Sequence, residues 1–101
     1  MLGELLMGIE INKCESVFKA LSDITRLNIL KELSKEESIC VCDLVDYFDI
    51  QQSKLSYHLK MLLDSRLITM ERRGKWNYYS VNINELEKYL SREAISNIVI
   101  T

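Results

Sequence analysis

The stretch Gln51–Arg66, QQSKLSYHLKMLLDSR, constrains this chain more than any other. It contains no Gly or Pro and is long enough for four helical turns. At about 100° per residue, Leu55, Leu59 and Leu62 fall on one face, which must pack inward. Ser53, Ser56, Tyr57 and Lys60 repeat at the same spacing on the opposite face. That outer face is short and polar, and it both donates and accepts hydrogen bonds. It lacks the Glu-rich character of an ordinary solvated helix face, and it suits base edges and phosphates in a DNA major groove. An exposed amphipathic helix of no special function satisfies the same pattern, so the flanking segments decide.

Upstream, Leu2, Leu5, Leu6 and Ile9 make a helical stripe that Gly3 and Gly8 weaken. Asn12 with Glu15 reads as a capping box opening a helix to about Leu21, with Ile11, Cys14, Val17, Phe18 and Leu21 on its apolar face. Ser22 or Asp23 caps the next helix, whose inner residues are expected to be Ile24, Leu27, Leu30 and Leu33. After the polar connector Lys35–Ser38, Ile39–Phe48 reads as a short extended segment leading into a third helix, with Leu44, Val45 and Phe48 inward. Asp49-Ile50 is a tight turn into the Gln51–Arg66 helix, so the third and fourth helices form a helix-turn-helix.

Downstream of Leu67 the period changes to two, the signature of a β-hairpin, with Arg73-Gly74 as its turn and Trp76, Tyr78 and Tyr79 in the return strand. Asn84 with Glu87 is a second capping box, opening a last helix that carries Leu86, Tyr89, Leu90 and Ala94. The expected order is α-α-α-α-β-β-α, mainly α with a β-hairpin wing: a winged helix-turn-helix in a single domain over residues 1–101.

The formal charge is −2, so the molecule as a whole is no polycation. Its distribution is uneven. From Gln51 to Lys75, Lys54, Lys60, Arg66, Arg72, Arg73 and Lys75 face only Asp64 and Glu71, giving +4 and leaving −6 for the remainder. A local basic patch on an acidic body is enough to bind nucleic acid. A domain of this size also gains from burying apolar surface in a dimer. The N-terminus has no basic region and its apolar run is too short to span a bilayer, so neither export nor membrane insertion is expected. Three cysteines without an export signal point to a reducing, cytoplasmic setting, with thiols that are packed, metal-binding or redox-active rather than structural disulfides.

Taken in order, these segments resemble the ArsR/SmtB family of metal-sensing winged-helix repressors, in its arsenic-responsive branch. Phe18–Leu27 is similar to that family's approach to its second helix. Cys40-Val41-Cys42-Asp43-Leu44 is similar to its arsenic-site motif, Ser53–Leu59 to its recognition helix, and Gly74–Tyr79 to its wing. The resemblance covers Phe18 to Val81. It implies a homodimer held by the N-terminal and C-terminal helices, bound to double-stranded operator DNA and released by a toxic metal or metalloid. A two-fold dimer would set two recognition helices in successive major grooves, about 34 Å apart. The candidate DNA contacts are Gln52, Ser53, Lys54, Ser56, Tyr57, His58 and Lys60 on the helix, with Arg72, Arg73 and Lys75 at the hairpin tip. For His58, at the edge of the helix, a phosphate contact or a structural hydrogen bond is expected. Trp76, Tyr78 and Tyr79 read as hairpin packing.

Cys40 and Cys42 would point apart within a regular helix, but in an extended segment leading into one they share a side. Free amides at a helix start favour thiolate, and two thiolates favour soft ions. As(III) or Sb(III) is the expected effector, with Cd(II), Pb(II) or Bi(III) as further candidates, and no organic cofactor is expected. The family pattern often places a third Cys where this chain has Val45, which leaves Cys14 as the candidate third sulfur. Cys14 also lies on an apolar stripe, where a buried small side chain is the alternative. His58 is the only histidine, so the His-rich site of the family's zinc and nickel sensors cannot form in the last helix. No phosphate loop and no Ser/His/Asp set suggests catalysis. The rival trigger is redox: a disulfide or persulfide at Cys40 and Cys42.

Overall fold

In the computed structural model, residues 10–99 are described. The Leu2–Ile9 stripe lies outside them. Helix α1, Ile11–Leu21, starts from an extended Glu10 that offers no side-chain cap, and Cys14 N–H donates to Glu10 O. Asn12 therefore stands inside the helix and is not its cap. Val17 and Ala20 are the fully buried residues of α1, while Ile11 and Phe18 are 85% and 49% exposed.

Helix α2, Ile24–Leu33, is capped by Asp23, whose carboxylate accepts from Arg26 N–H at 3.1 Å. The expected inner face is only half right. Leu30 and Leu33 are buried and Leu27 is half-buried, but Ile24 is 71% exposed, and Arg26 and Ile29 take inner positions. The reason is location: α2 packs against α1, α4, α6 and the hairpin together, so no single stripe describes its burial.

Strand β1, Ile39–Cys40, leads directly into α3, Val41–Phe48, with Leu44 buried and Val45 and Phe48 half-buried. Asp49 ends α3 in the left-handed region (φ 51°), a conformation that Asp tolerates better than most residues. Helix α4 then runs Gln52–Asp64. It closes in a Schellman arrangement, in which Leu67 N–H donates to Leu62 O at 3.0 Å and Arg66 N–H to Leu63 O at 2.9 Å. Arg66 holds the left-handed position (φ 65°) that glycine usually fills.

Strands β2 (Ile68–Arg73) and β3 (Trp76–Val81) form the hairpin, in register Ile68↔Val81 through Arg73↔Trp76. The loop is therefore Gly74-Lys75, one residue later than expected, with Gly74 supplying the positive φ (62°) of a two-residue turn. β1 adds to the other edge of β3, pairing Ile39 with Tyr79 and Cys40 with Tyr78, so the sheet order is β1-β3-β2.

The expected last helix is instead two. Asn82, not Asn84, caps the single turn α5, Ile83–Leu86, and its amide also donates to Arg66 O at 3.0 Å. Ser91 caps α6, Arg92–Ile98, accepting from Ala94 N–H at 3.1 Å. Two caps nine residues apart (82 to 91) break the continuity that hydrophobic spacing alone suggests. Leu86 and Ile95 still reach the core, which gathers Val17, Ile29, Leu30, Leu33, Leu44, Leu55, Leu59, Leu62 and Leu67. The architecture is a mainly helical winged helix-turn-helix. Among the described residues no helix is long and apolar enough to cross a membrane.

Candidate nucleic-acid interface and thiol pair

α4 buries Leu55, Leu59 and Leu62 and turns Gln52, Ser53, Lys54, Ser56, Tyr57 and Lys60 outward. Tyr57 is 60% exposed, a large half-apolar ring with a hydroxyl at its end, set between short polar residues. Lys60 is partly neutralised by Asp64 one turn on, at 3.2 Å. Among the described residues no element covers this outer face, as insertion into a groove requires.

The hairpin tip carries its cations differently from one another. Arg73 Nε donates to Glu71 at 2.6 Å, and its guanidinium lies over the Tyr78 ring, 4.6 Å from the centroid. The Glu71 hydrogen bond raises the Arg73 pKa further. Arg72 Nε bonds the Gly74 carbonyl at 3.2 Å, and Lys75 sits over the exposed Trp76 ring at 5.7 Å. Tyr79 is buried, which raises its pKa, and it packs into the core. Tyr78 and Trp76 support the cations and do not project alone.

His58 is only 6% exposed, so of its two expected roles the structure shows the structural hydrogen bond. Its Nδ1 lies 3.0 Å from Arg26 Nη1. Arginine cannot accept, so Nδ1 is the acceptor and the proton sits on Nε2. Burial pushes the imidazole below its ordinary pKa; Arg26 and Lys54 act in the same direction, and Asp23, 4.0 Å away, opposes them. The Arg26 N–H bond holds the Asp23 carboxyl below the usual carboxylate range. Sequence periodicity gave no sign of Arg26 in this role, since an arginine on a helix is ordinarily solvated.

Cys40 is the extended residue that caps α3, and Cys42 stands on the first turn. Their sulfur atoms are joined as a disulfide with Cα atoms 5.3 Å apart, and Cys42 N–H donates to Cys40 Sγ at 3.3 Å. A bridge over one intervening residue closes too little chain to staple a fold. What the geometry does is bring two sulfurs to one side of a helix start, where free amides favour thiolate. Cys40 is buried and Cys42 half-buried. A cleft of about 290 Å³ opens beside Cys40, lined by Glu32, Lys35, Glu36, Asp43 and Tyr78 among others. Cys14 does not join the pair: it faces the region of Tyr89, and no group of three His, Cys, Asp or Glu side chains is assembled among the described residues. A third sulfur from within one chain is therefore not in place.

Residues 23–70 match the family described as "Bacterial regulatory protein, arsR family". The chain is 52% identical, over 83 residues, to the arsenical resistance operon repressor of Bacillus subtilis (strain 168), covering 82% of this chain and 79% of that one. It is 34% identical to the cadmium resistance transcriptional regulatory protein CadC homolog of Staphylococcus aureus, over 75% of this chain and 63% of that one. Among solved structures it superimposes on an ArsR-like transcriptional regulator from Rhodococcus sp. RHA1 with a TM-score of 0.71 and 28% identity, over 86% of this chain and 77% of that one.

Proposed function

The chain belongs to the ArsR family of bacterial regulatory proteins, and from that premise we propose that it is a DNA-binding repressor released by a thiophilic metalloid at Cys40 and Cys42. Family membership makes it a winged-helix transcriptional repressor and not an enzyme. The effector and the residues that carry each role are the proposal. The observation that carries it is the pair of convergent sulfurs at the start of α3, one turn-helix step ahead of the outward polar face of α4.

The donor set fits the effector class. Two thiolates on one side suit As(III) or Sb(III), and Cd(II), Pb(II) or Bi(III) are softer-ion alternatives. Once a small-molecule dithiol has reduced the Cys40–Cys42 disulfide and is itself oxidised to a disulfide, each cysteine thiol that replaces a hydroxyl of arsenous acid releases one water, so two protein sulfurs leave one ligand position to be filled. Cys14 of a second subunit, solvent or a small thiol are the sources open to it. Names of relatives refer to arsenical and cadmium resistance, which favours a metalloid trigger over a redox one.

Coupling to DNA has a physical route. Cys40 stands opposite Tyr78 in the β1–β3 pairing, and the Tyr78 ring lies beneath Arg73 at the hairpin. Cys40 also caps α3, which the Asp49 turn joins to α4. Pulling the two sulfurs onto one ion shifts the cap, and both DNA-facing elements are attached to it. A coupling of about 1–3 kcal/mol, ordinary for allostery, lowers operator affinity roughly 5–150-fold. Ser56 and Tyr57, with Gln52, Ser53 and Lys54, are assigned to base and sugar-phosphate contacts, and Arg72, Arg73 and Lys75 to the adjacent backbone.

The test is release. Fluorescence anisotropy of a duplex selected by the wild-type protein should fall on adding arsenite under reducing conditions. Cys40→Ser and Cys42→Ser should keep DNA binding and lose that response. Normal release from Cys40→Ser sinks the assignment, and release by mild oxidation alone, reversed by dithiothreitol, selects the redox trigger instead.

A further inference from the structure

Arg26 is a charged side chain only 7% exposed, and every side of its guanidinium is used. Nε donates to Ala20 O at 2.7 Å and Nη2 to Lys19 O at 3.2 Å, two carbonyls in the last turn of α1, where Lys19 O also accepts from the Ser22 N–H and hydroxyl. Nη1 donates to His58 Nδ1 at 3.0 Å, on the inner side of α4. The Arg26 backbone N–H is held by Asp23 at the start of α2. One planar fork thus joins the end of α1, the start of α2 and the middle of α4. A cation is favoured at the end of α1 by the helix dipole. Lysine, with a single nitrogen, cannot span the three directions.

We propose that Arg26 is a positioning residue for DNA recognition, fixing the rotation of α4 relative to α1 through its bond to His58. This rests on the reading of α4 as the DNA-facing helix. Neither side chain points to the DNA-facing surface, so the pair acts on where Ser56 and Tyr57 present their polar atoms. Phosphate contacts tolerate small rotations of a helix, whereas base-edge hydrogen bonds do not. Losing the clasp therefore costs discrimination between sequences more than it costs affinity for DNA in general.

The same bond carries a pH consequence. The groups around His58 are Asp23 and Arg26 from α2, the Lys19 and Ala20 carbonyls of α1 behind Arg26, and Lys54 and Tyr57 on α4 itself. A protonated Nδ1 presents a hydrogen to the Arg26 donor and a second positive charge beside it. The imidazolium is then drawn to Asp23, and the link to α1 opens.

The experiment compares a duplex selected by the wild-type protein from a random pool with a scrambled duplex of the same composition. Arg26→Lys, checked by circular dichroism to be folded, should reduce the selected-to-scrambled affinity ratio about tenfold, the size of one charge-assisted hydrogen bond. A second measurement holds if that variant does not fold. The wild-type ratio should hold above pH 6.5 and fall as pH drops below it through the depressed pKa of His58, while His58→Asn, which offers an acceptor oxygen that does not titrate, should give a ratio independent of pH. A folded Arg26→Lys with an unchanged ratio overturns the proposal, as does a wild-type pH profile that His58→Asn reproduces. Ser56→Ala with Tyr57→Ala distinguishes the two levels. If that double variant also keeps the full ratio, α4 does not read DNA and both fail; if it loses the ratio while Arg26→Lys keeps it, only the positioning role fails.

Discussion

A neutral imidazole whose acceptor nitrogen is committed to a guanidinium leaves a thermodynamic signature. The pKa of His58 is lowered in the fold, so the unfolded chain binds more protons around its ordinary value of 6.5. The His58 contribution is thus fully present above that value and is lost as pH falls through the depressed one. Asp23 is also lowered, from 3.8, so its contribution survives in that window and fades only at lower pH. Denaturation midpoints should therefore decline in two separate stages as pH falls. His58→Asn should remove the upper stage and leave the lower; an unchanged upper stage would show that another group causes it. Residues differ in how legible they are for a related reason. Asp23 was readable because a cap is set by its neighbours in sequence. Arg26 was not, because its partners lie 6, 7 and 32 positions away and only the fold brings them together. Cys14 falls between the two: its helix was readable, but its separation from the Cys40–Cys42 pair was not. In the reduced protein, where both thiols react with an alkylating agent in the absence of arsenite, Cys40 and Cys42 should become protected on adding arsenite in every case. Protection of Cys14 as well, in a dimer only, would identify the partner subunit as the third donor.

At the level of elements, the wing and the end of α4 make separate predictions. Each phosphate contact removed should flatten the slope of log K against log[salt] by roughly 0.9. The three tip cations are not equal, however, because Arg73 is already paired with Glu71 while Lys75 faces only an aromatic ring. Lys75→Ala and Arg72→Ala should therefore flatten the slope more than Arg73→Ala, and equal slopes in all three would contradict this ranking. Arg66, left-handed in the Schellman turn, holds a conformation that costs an L-residue about 1–2 kcal/mol. Arg66→Gly should recover up to about 1 kcal/mol in a denaturant titration, since the greater freedom of glycine in the unfolded chain offsets part of the relief. A loss of stability would mean that the Arg66 side chain contributes packing beyond its backbone. Helix-turn-helix and hairpin were legible because two periods, 3.6 and 2, change sharply at Leu67. The split of the C-terminal helix was not, since Leu86, Tyr89, Leu90 and Ala94 keep helical spacing across the break. Only the competition among Asn82, Asn84 and Ser91 as caps decides it, and that depends on Asn82 also reaching Arg66.

The described residues present apolar side chains that they do not themselves cover. Ile11 is 85% exposed, Ile24 71% and Phe18 49%, and Phe18 meets Tyr89 edge to face at 6.2 Å, so α1 and the segment after α5 form adjoining parts of this surface. Cys14 and Leu21, on the same helix, are only half-buried. Burying one such side chain contributes about 1.5–3 kcal/mol, and a two-fold interface counts each position twice. Phe18→Asp should thus weaken self-association by about 3–6 kcal/mol, a factor of a hundred or more. Sedimentation at micromolar concentration should show the wild type as a dimer and Phe18→Asp as a folded monomer. DNA binding should fall with it, because a monomer has one α4 and loses the half-site spacing that a dimer imposes. The two effects separate by concentration: raising the protein should restore the dimer and the operator complex together. A Phe18→Asp protein that remains dimeric would place the interface elsewhere, and one that is monomeric yet holds its operator at wild-type strength would show that a single α4 and its hairpin suffice.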